Sequence, residues 1–131
     1  MTVADEPVQS LIQRPALLVH LDDTLRQVAE TFETESVGAA VVKGTHPIGL
    51  VSERDVLNAL AGGADPATTR VSEIMTDDVA VAAPNDRVLD VTRRMLDNEI
   101  RHVPVVEDDV VIGVVSVRDV LRAFADAAGA G

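Results

Sequence analysis

The sequence predicts an α/β fold built from two copies of one β-α-β-β-α motif, and three observations carry that reading. First, the chain repeats itself: Gly49-Leu-Val-Ser-Glu-Arg-Asp-Val-Leu57 returns as Gly113-Val-Val-Ser-Val-Arg-Asp-Val-Leu121, identical at seven of nine positions at an offset of 64. Second, each copy passes from short apolar runs to apolar residues spaced three and four apart, the periods of strand and helix. Third, the apolar residues, 47% of the 131, are rich in Val and Ala, with two Phe and no Trp or Tyr. Small β-branched side chains suit parallel strands covered on both faces.

The repeat sets the organisation: one motif over 8–62, a linker over 63–70 and a second motif over 71–126. Upstream of the shared run the offset is 63, aligning Val8–Ile12 with Val71–Met75 and Leu25, Val28 and Phe32 with Val88, Val91 and Met95. The offset changes near Lys43–Thr45, so a one-residue length difference is expected in a turn. Each copy opens with a strand, Ala16–Val19 or Val79–Ala82. A helix follows, started by Thr24 or Asp22 in one copy and near Pro84-Asn85-Asp86 in the other. It buries Leu25, Val28, Ala29 and Phe32, or Val88, Val91, Met95 and Leu96. Two strands come next: Ala39–Val42 with Ile48–Val51, and Val103–Val106 with Val110–Val115, turning at Glu107-Asp108-Asp109. A last helix begins at Ser52 or Ser116, with Val56, Leu57 and Leu60, or Val120, Leu121 and Phe124, facing inward. Ala61-Gly62-Gly63 ends the first of these helices, and the chain after Asp126 is expected to fray. One such copy buries too little surface to stand alone, and two sharing a core do not have that problem.

Composition excludes several function classes. The net charge is −11, with 22 acidic residues against 11 basic, ten of them Arg. Such a surface repels phosphate backbones, and without aromatic platforms nucleic-acid binding is not expected. An anionic ligand then needs a local basic pocket. The absence of Cys removes disulfides, iron–sulfur clusters and Cys-type zinc sites. No apolar run reaches membrane-spanning length, and the first ten residues lack a signal-peptide pattern, so no membrane association is expected and the cytoplasm is the expected compartment. There is no Gly-x-Ser-x-Gly, no P-loop and no Gly-x-Gly-x-x-Gly, and the three His lack metal-ligand spacing, so neither a catalytic residue nor a metal site is expected.

The residues resemble the CBS-domain family, specifically the tandem pair called a Bateman module. The features that carry the resemblance are Gly49–Asp55, Gly113–Asp119, Ile100-Arg-His-Val-Pro-Val-Val106 and Ser72-Glu-Ile-Met-Thr76 followed by Val79-Ala-Val-Ala-Ala-Pro84. They cover nearly the whole chain, from about Val8 to Phe124. The resemblance implies two motifs packed with pseudo-two-fold symmetry, a homodimeric disc, and no catalysis. It also implies a regulatory module that binds AMP, ADP or ATP in the cleft between motifs and modulates an unidentified partner protein. No cofactor is expected to be required, and any magnesium would arrive bound to ATP. S-adenosylmethionine is the alternative ligand, and a ligand-free interaction scaffold or the regulatory subunit of an enzyme is the alternative role.

Each Ser-x-x-Asp follows an apolar strand and opens a helix, where a phosphate meets free N–H groups and the positive helix end. The Asp one turn on can accept two ribose hydroxyls. The same spacing is also a capping box, which would merely seal the helix start. By resemblance each site mixes both copies. Site B combines Ser52, Arg54 and Asp55 with Thr76, Val79, Ala80, Val81, Arg101 and His102. Site A combines Ser116, Arg118 and Asp119 with Leu17, Leu18, Val37, Gly38 and Ala39. Arg101 and His102 align with Gly38 and Ala39, so site B is expected to be the stronger anion site and site A the weaker. Each charge-assisted contact contributes ~1.5–3 kcal/mol before desolvation. Pro104 is expected to shape a strand edge, and His20 and His46 to lie in turns.

Overall fold

The computed structural model describes residues 2–44 and 49–130. The chain is mixed α/β and forms two compact units, named here for their place along the chain: an inner unit, 17–79, and an outer unit, 1–16 with 80–131. This division cuts across the sequence repeats. The lead segment before the first strand belongs with the second copy, and the lead segment of the second copy, together with the 63–70 stretch, belongs with the first.

The inner unit contains β1 (Leu18–His20), α1 (Leu25–Glu35), β2 (Ala39–Lys43), β3 (Gly49–Ser52), α2 (Glu53–Ala61) and a short helix, α3 (Val71–Ile74). Its sheet runs β1-β2-β3, with β1 parallel and β3 antiparallel to β2. The first strand begins two residues later than its apolar run suggests. Thr24 starts α1 through a capping box with Gln27. The 63–70 stretch is an ordered part of this unit: Thr69 and Pro66 carbonyls accept from Leu25 and Arg26 N–H at 2.9 and 3.0 Å, satisfying donors that a helix start leaves free. Val71 of α3 is fully buried in one core with Val19, Leu25, Val28, Phe32, Ala40, Val42, Val51 and Val56. The turn containing His46 and the expected strand residue Ile48 lie outside the described residues.

The outer unit begins with two short 3-10 turns, Val3–Asp5 and Val8–Leu11, and continues with α4 (Val88–Asn98), β4 (His102–Glu107), β5 (Val110–Ser116) and α5 (Val117–Ala130). Val8 and Leu11 are buried with Ala82, Val88, Val91, Met95, Val103, Val105, Val115 and Val120. The lead segment is also tied by its backbone: Val8 N–H donates to Asp86 O at 2.7 Å and Val88 N–H to Glu6 O at 2.9 Å. Ile12, the next residue, presses on Gly113; a Cβ there would lie 2.6 Å from Ile12 Cγ2. Glycine at 113 is therefore required by close approach rather than by a turn.

Several expectations need correction. Val79–Ala82 forms no strand; a single parallel bridge, Ala82↔Val105, remains. The carbonyl of Val81 is bound by Arg94 at 2.8 Å, which ties this stretch to α4. In the second copy the register slips between Val105 and Val106, a bulge at Ile112, while Asp108 and Asp109 alone turn the hairpin with positive φ. Here the irregularity sits in the strand and the turn is tight. Leu96 is 73% exposed rather than buried. Leu57 and Leu60, with Leu121 and Phe124, are also exposed, because the core-facing positions are Val56 and Ala59, and Val120 and Ala123. Pro104 is buried within β4, and its carbonyl accepts from Ala82 N–H at 2.9 Å. His20 is the exposed last residue of β1. The expected frayed end is helical through Ala130, consistent with the high helix propensity of its Ala residues.

Candidate functional site

The site residues divide between the two units. The inner unit carries Ser52, Arg54, Asp55, Thr76 and Val79 of site B and Leu17, Leu18, Val37, Gly38 and Ala39 of site A; the outer unit carries Ala80, Val81, Arg101 and His102 of site B and Ser116, Arg118 and Asp119 of site A. Each unit therefore presents one strand–helix corner and one pre-strand segment.

In the inner unit the corner is where β3 meets α2. Ser52 has extended backbone, and its Oγ accepts from Asp55 N–H at 3.2 Å. Asp55 Oδ2 in turn accepts from Ser52 N–H at 2.8 Å and from the Ser52 hydroxyl at 3.1 Å. The carbonyl of Gly38 accepts from Glu53 N–H at 2.9 Å, and Ala39 pairs with Ser52 in the ladder. Thr76 exchanges both backbone hydrogen bonds with Leu50, each 2.8 Å, which sets it beside β3 two residues before Ser52. The structure thus gathers Thr76, Ser52 and Asp55 of site B with Gly38 and Ala39 of site A. Leu17 is half-buried and its carbonyl accepts from Val41 N–H; Leu18 is half exposed, and Val37 and Val79 are half-buried.

The outer unit repeats the construction. Asp119 N–H donates to Ser116 Oγ at 3.1 Å, and Asp119 Oδ2 accepts from Ser116 N–H and Oγ at 2.8 and 3.0 Å. Val117 N–H donates to Arg101 O at 2.9 Å, and His102 pairs with Ser116. The structure thus sets Arg101 and His102 on the same corner as Ser116 and Asp119. Ala80 is half-buried and Val81 exposed.

Both corners are working capping boxes, so the capping reading of Ser-x-x-Asp holds. It also revises the phosphate argument. A strand-side carbonyl takes the first N–H of each helix, and the Ser takes the third. The N–H groups of Arg54 and Arg118 remain, together with side-chain cations. Arg54, Arg101 and Arg118 are exposed, and among the described residues none has a hydrogen bond or ion pair through its side chain, whereas Arg87, Arg94 and Arg122 pair with Asp5 and Asp90, Asp86 and Asp119.

Sequence reasoning overlooked one contact. Arg122 Nη1 lies 3.9 Å from Asp119 Oδ1, while the aligned residue beside Asp55 is Asn58. An Arg three residues after a helix-start Asp was the available signal. Among the described residues no group of three or more His, Cys, Asp or Glu is placed to hold a metal ion, and no helix is long and apolar enough to cross a membrane.

Fold and corners define the class first: a two-motif α/β module whose duplicated Ser-x-x-Asp corners set polar and cationic groups at helix starts. The chain belongs to the CBS-domain family, whose model matches residues 8–62 and 71–126. CBS domains are generally regulatory rather than catalytic, and no catalytic family is indicated. Among curated relatives, an uncharacterized protein of Methanocaldococcus jannaschii is 30% identical over 93% of this chain and 44% of its own length. A mitochondrial CBS domain-containing protein of Arabidopsis thaliana is 36% identical over 78% of this chain and 53% of its own. The chain spans about half the length of these relatives. Among solved structures, a CBS domain protein of Pyrobaculum aerophilum complexed with AMP matches with a TM-score of 0.78 at 29% identity, covering 92% of this chain and 98% of that one. A CBS domain pair in complex with 5′-methylthioadenosine and S-adenosylmethionine matches with a TM-score of 0.81 at 26% identity, covering 90% and 98%. A hexameric CBS-CP12 protein from bloom-forming cyanobacteria matches with a TM-score of 0.82 at 28% identity, covering 88% and 69%.

Proposed function

We propose that this chain is a regulatory module that binds AMP, ADP or ATP at its Ser-x-x-Asp corners, within the cleft the family resemblance implies, and modulates a partner protein without catalysing a reaction. The observation that carries the reading is the state of the arginines. In a chain of net charge −11, Arg54 and Arg118 have no side-chain partner among the described residues and lie in the first turn of a helix, where the dipole disfavours a cation. An anion arriving there relieves the mismatch, and Arg101 adds a third cation. Solved relatives complexed with AMP or with S-adenosylmethionine support an adenosine compound as the ligand. In this reading the nucleotide carries magnesium when it is ATP, the module works in the cytoplasm, and it self-associates as a homodimer.

Titration of the full chain with AMP, ADP, ATP and S-adenosylmethionine, read by calorimetry and thermal unfolding, tests the reading. A ligand held at a hundred times its Kd adds about 2.7 kcal/mol to stability. A flat response to all four refutes it and favours a ligand-free interaction scaffold, the second reading, which the self-satisfied capping boxes also allow.

A further inference from the structure

We propose that Arg122 is a specificity-determining residue: it guards Asp119 against uncharged nucleosides, while Asn58 leaves Asp55 open to them. The inference rests on the functional reading above, in which each Asp receives ribose hydroxyls. In both corners Oδ2 is committed to the capping box, at 2.8 Å from the Ser N–H. A ribose must therefore use Oδ1. On α2 that oxygen has no partner among the described residues, and Asn58 beside it is uncharged and exposed. On α5 the same oxygen faces the Arg122 guanidinium at 3.9 Å.

A ribose that takes Asp119 Oδ1 must displace that guanidinium. A ligand with a phosphate brings an anion to which the released cation is attracted; a ligand without one leaves it uncompensated. The Asp119 corner consequently selects for charge, and the Asp55 corner accepts charged and uncharged adenosine compounds alike. The competing pair is partly exposed, at 43% and 23% of side-chain area, so its effect on affinity is small, about two- to five-fold.

The test is calorimetric titration of the full chain and its Arg122→Asn and Asn58→Arg variants with AMP and with 5′-methylthioadenosine, which carries no phosphate. Arg122→Asn is expected to tighten 5′-methylthioadenosine binding about two- to five-fold, Asn58→Arg to weaken it by a similar factor, and AMP to respond less. In an Asp119→Asn background, where Asn still accepts the capping bonds, the gain from Arg122→Asn is expected to vanish. A gain that persists there overturns the inference, because it would then come from a general change of charge. Unchanged affinities in both single variants, or AMP binding with no 5′-methylthioadenosine binding even to Arg122→Asn, also overturn it while leaving nucleotide sensing intact. A wild-type chain that binds neither compound overturns this inference, and the parent reading falls with it only if ADP, ATP and S-adenosylmethionine also fail to bind.

Discussion

Replacing Gly113 with Ala tests whether the first sixteen residues belong structurally to the second copy. The added Cβ would lie 2.6, 2.9 and 3.0 Å from three side-chain carbons of Ile12, so one partner must move. Ile12 has little freedom: its β-branched side chain has few rotamers, and the preceding Leu11 is held in the core with 8% exposure. Gly113 is buried and pairs with Val105, which is fully buried, so β5 cannot shift cheaply. Overpacking of this kind costs about 1–3 kcal/mol. Reduced freedom of the unfolded chain returns about 0.4–1 kcal/mol, leaving a net effect between about zero and a loss of about 2.5 kcal/mol. The assay is equilibrium urea unfolding followed by far-ultraviolet circular dichroism, since the chain has no Trp or Tyr to report by fluorescence. Ile12→Ala alone removes packing and also destabilises. The double variant should lose at least about 1 kcal/mol less than the sum of the two, because the new methyl occupies the space the isoleucine vacates. Strict additivity of the two variants would refute the docking of the lead segment on β5.

Three further outcomes follow from the same geometry. Glu99 ends α4 in the left-handed region at φ 54°, so Glu99→Gly should stabilise by about 0.5–1 kcal/mol, measured as a higher urea midpoint. The Asp90 carboxyl is held below its ordinary range, first by the hydrogen bond from Arg87, whose own pKa is raised chiefly by the same bond. A depressed carboxylate contributes stability above its unfolded value of about 3.9 and loses it as pH falls through its lower folded value. Stability profiles of the wild type and Arg87→Met should therefore differ at neutral pH and converge in acid; a gap that widens below about pH 4 contradicts this sign. Arg101→Ala should weaken AMP binding about tenfold, while Arg118→Ala changes it little; equal losses in calorimetry would contradict the ranking of the two sites.

Helix starts were the most legible part of the fold. Thr24 and both Ser-x-x-Asp spacings lie where the capping boxes form, because capping is local and its donors and acceptors are three residues apart. Core-facing positions of α2 and α5 were less legible. Val56-Leu57 and Val120-Leu121 put two apolar residues side by side, and periodicity does not say which faces in. The larger residue turned outward each time, at 65% and 64% exposure. The failed strand at Val79–Ala82 depended on a contact distant in sequence, Arg94 to the Val81 carbonyl. The ownership of the lead segments was hidden for the same reason. Val8 and Val71 align and are equally buried, so the repeat pattern reads identically whichever copy each one completes.

The site shows why a local signal and a ligand signal can coincide in one motif. Ser52, Asp55, Ser116 and Asp119 meet the full demand of a capping box with one carboxylate oxygen each. The box therefore accounts for the motif and leaves the second oxygen of each Asp outside it. What happens at that oxygen is set by a residue one turn further along, Asn58 or Arg122, in the part of the helix where the two copies differ. The shared residues build two like corners; the unshared ones, Arg122 on one helix and Arg101 against Gly38 at the strand entrance, make them chemically unequal. A motif search weighs only the shared residues and so predicts equal sites, whereas charge placement predicts one corner that tolerates an uncharged adenosine and one that selects for phosphate.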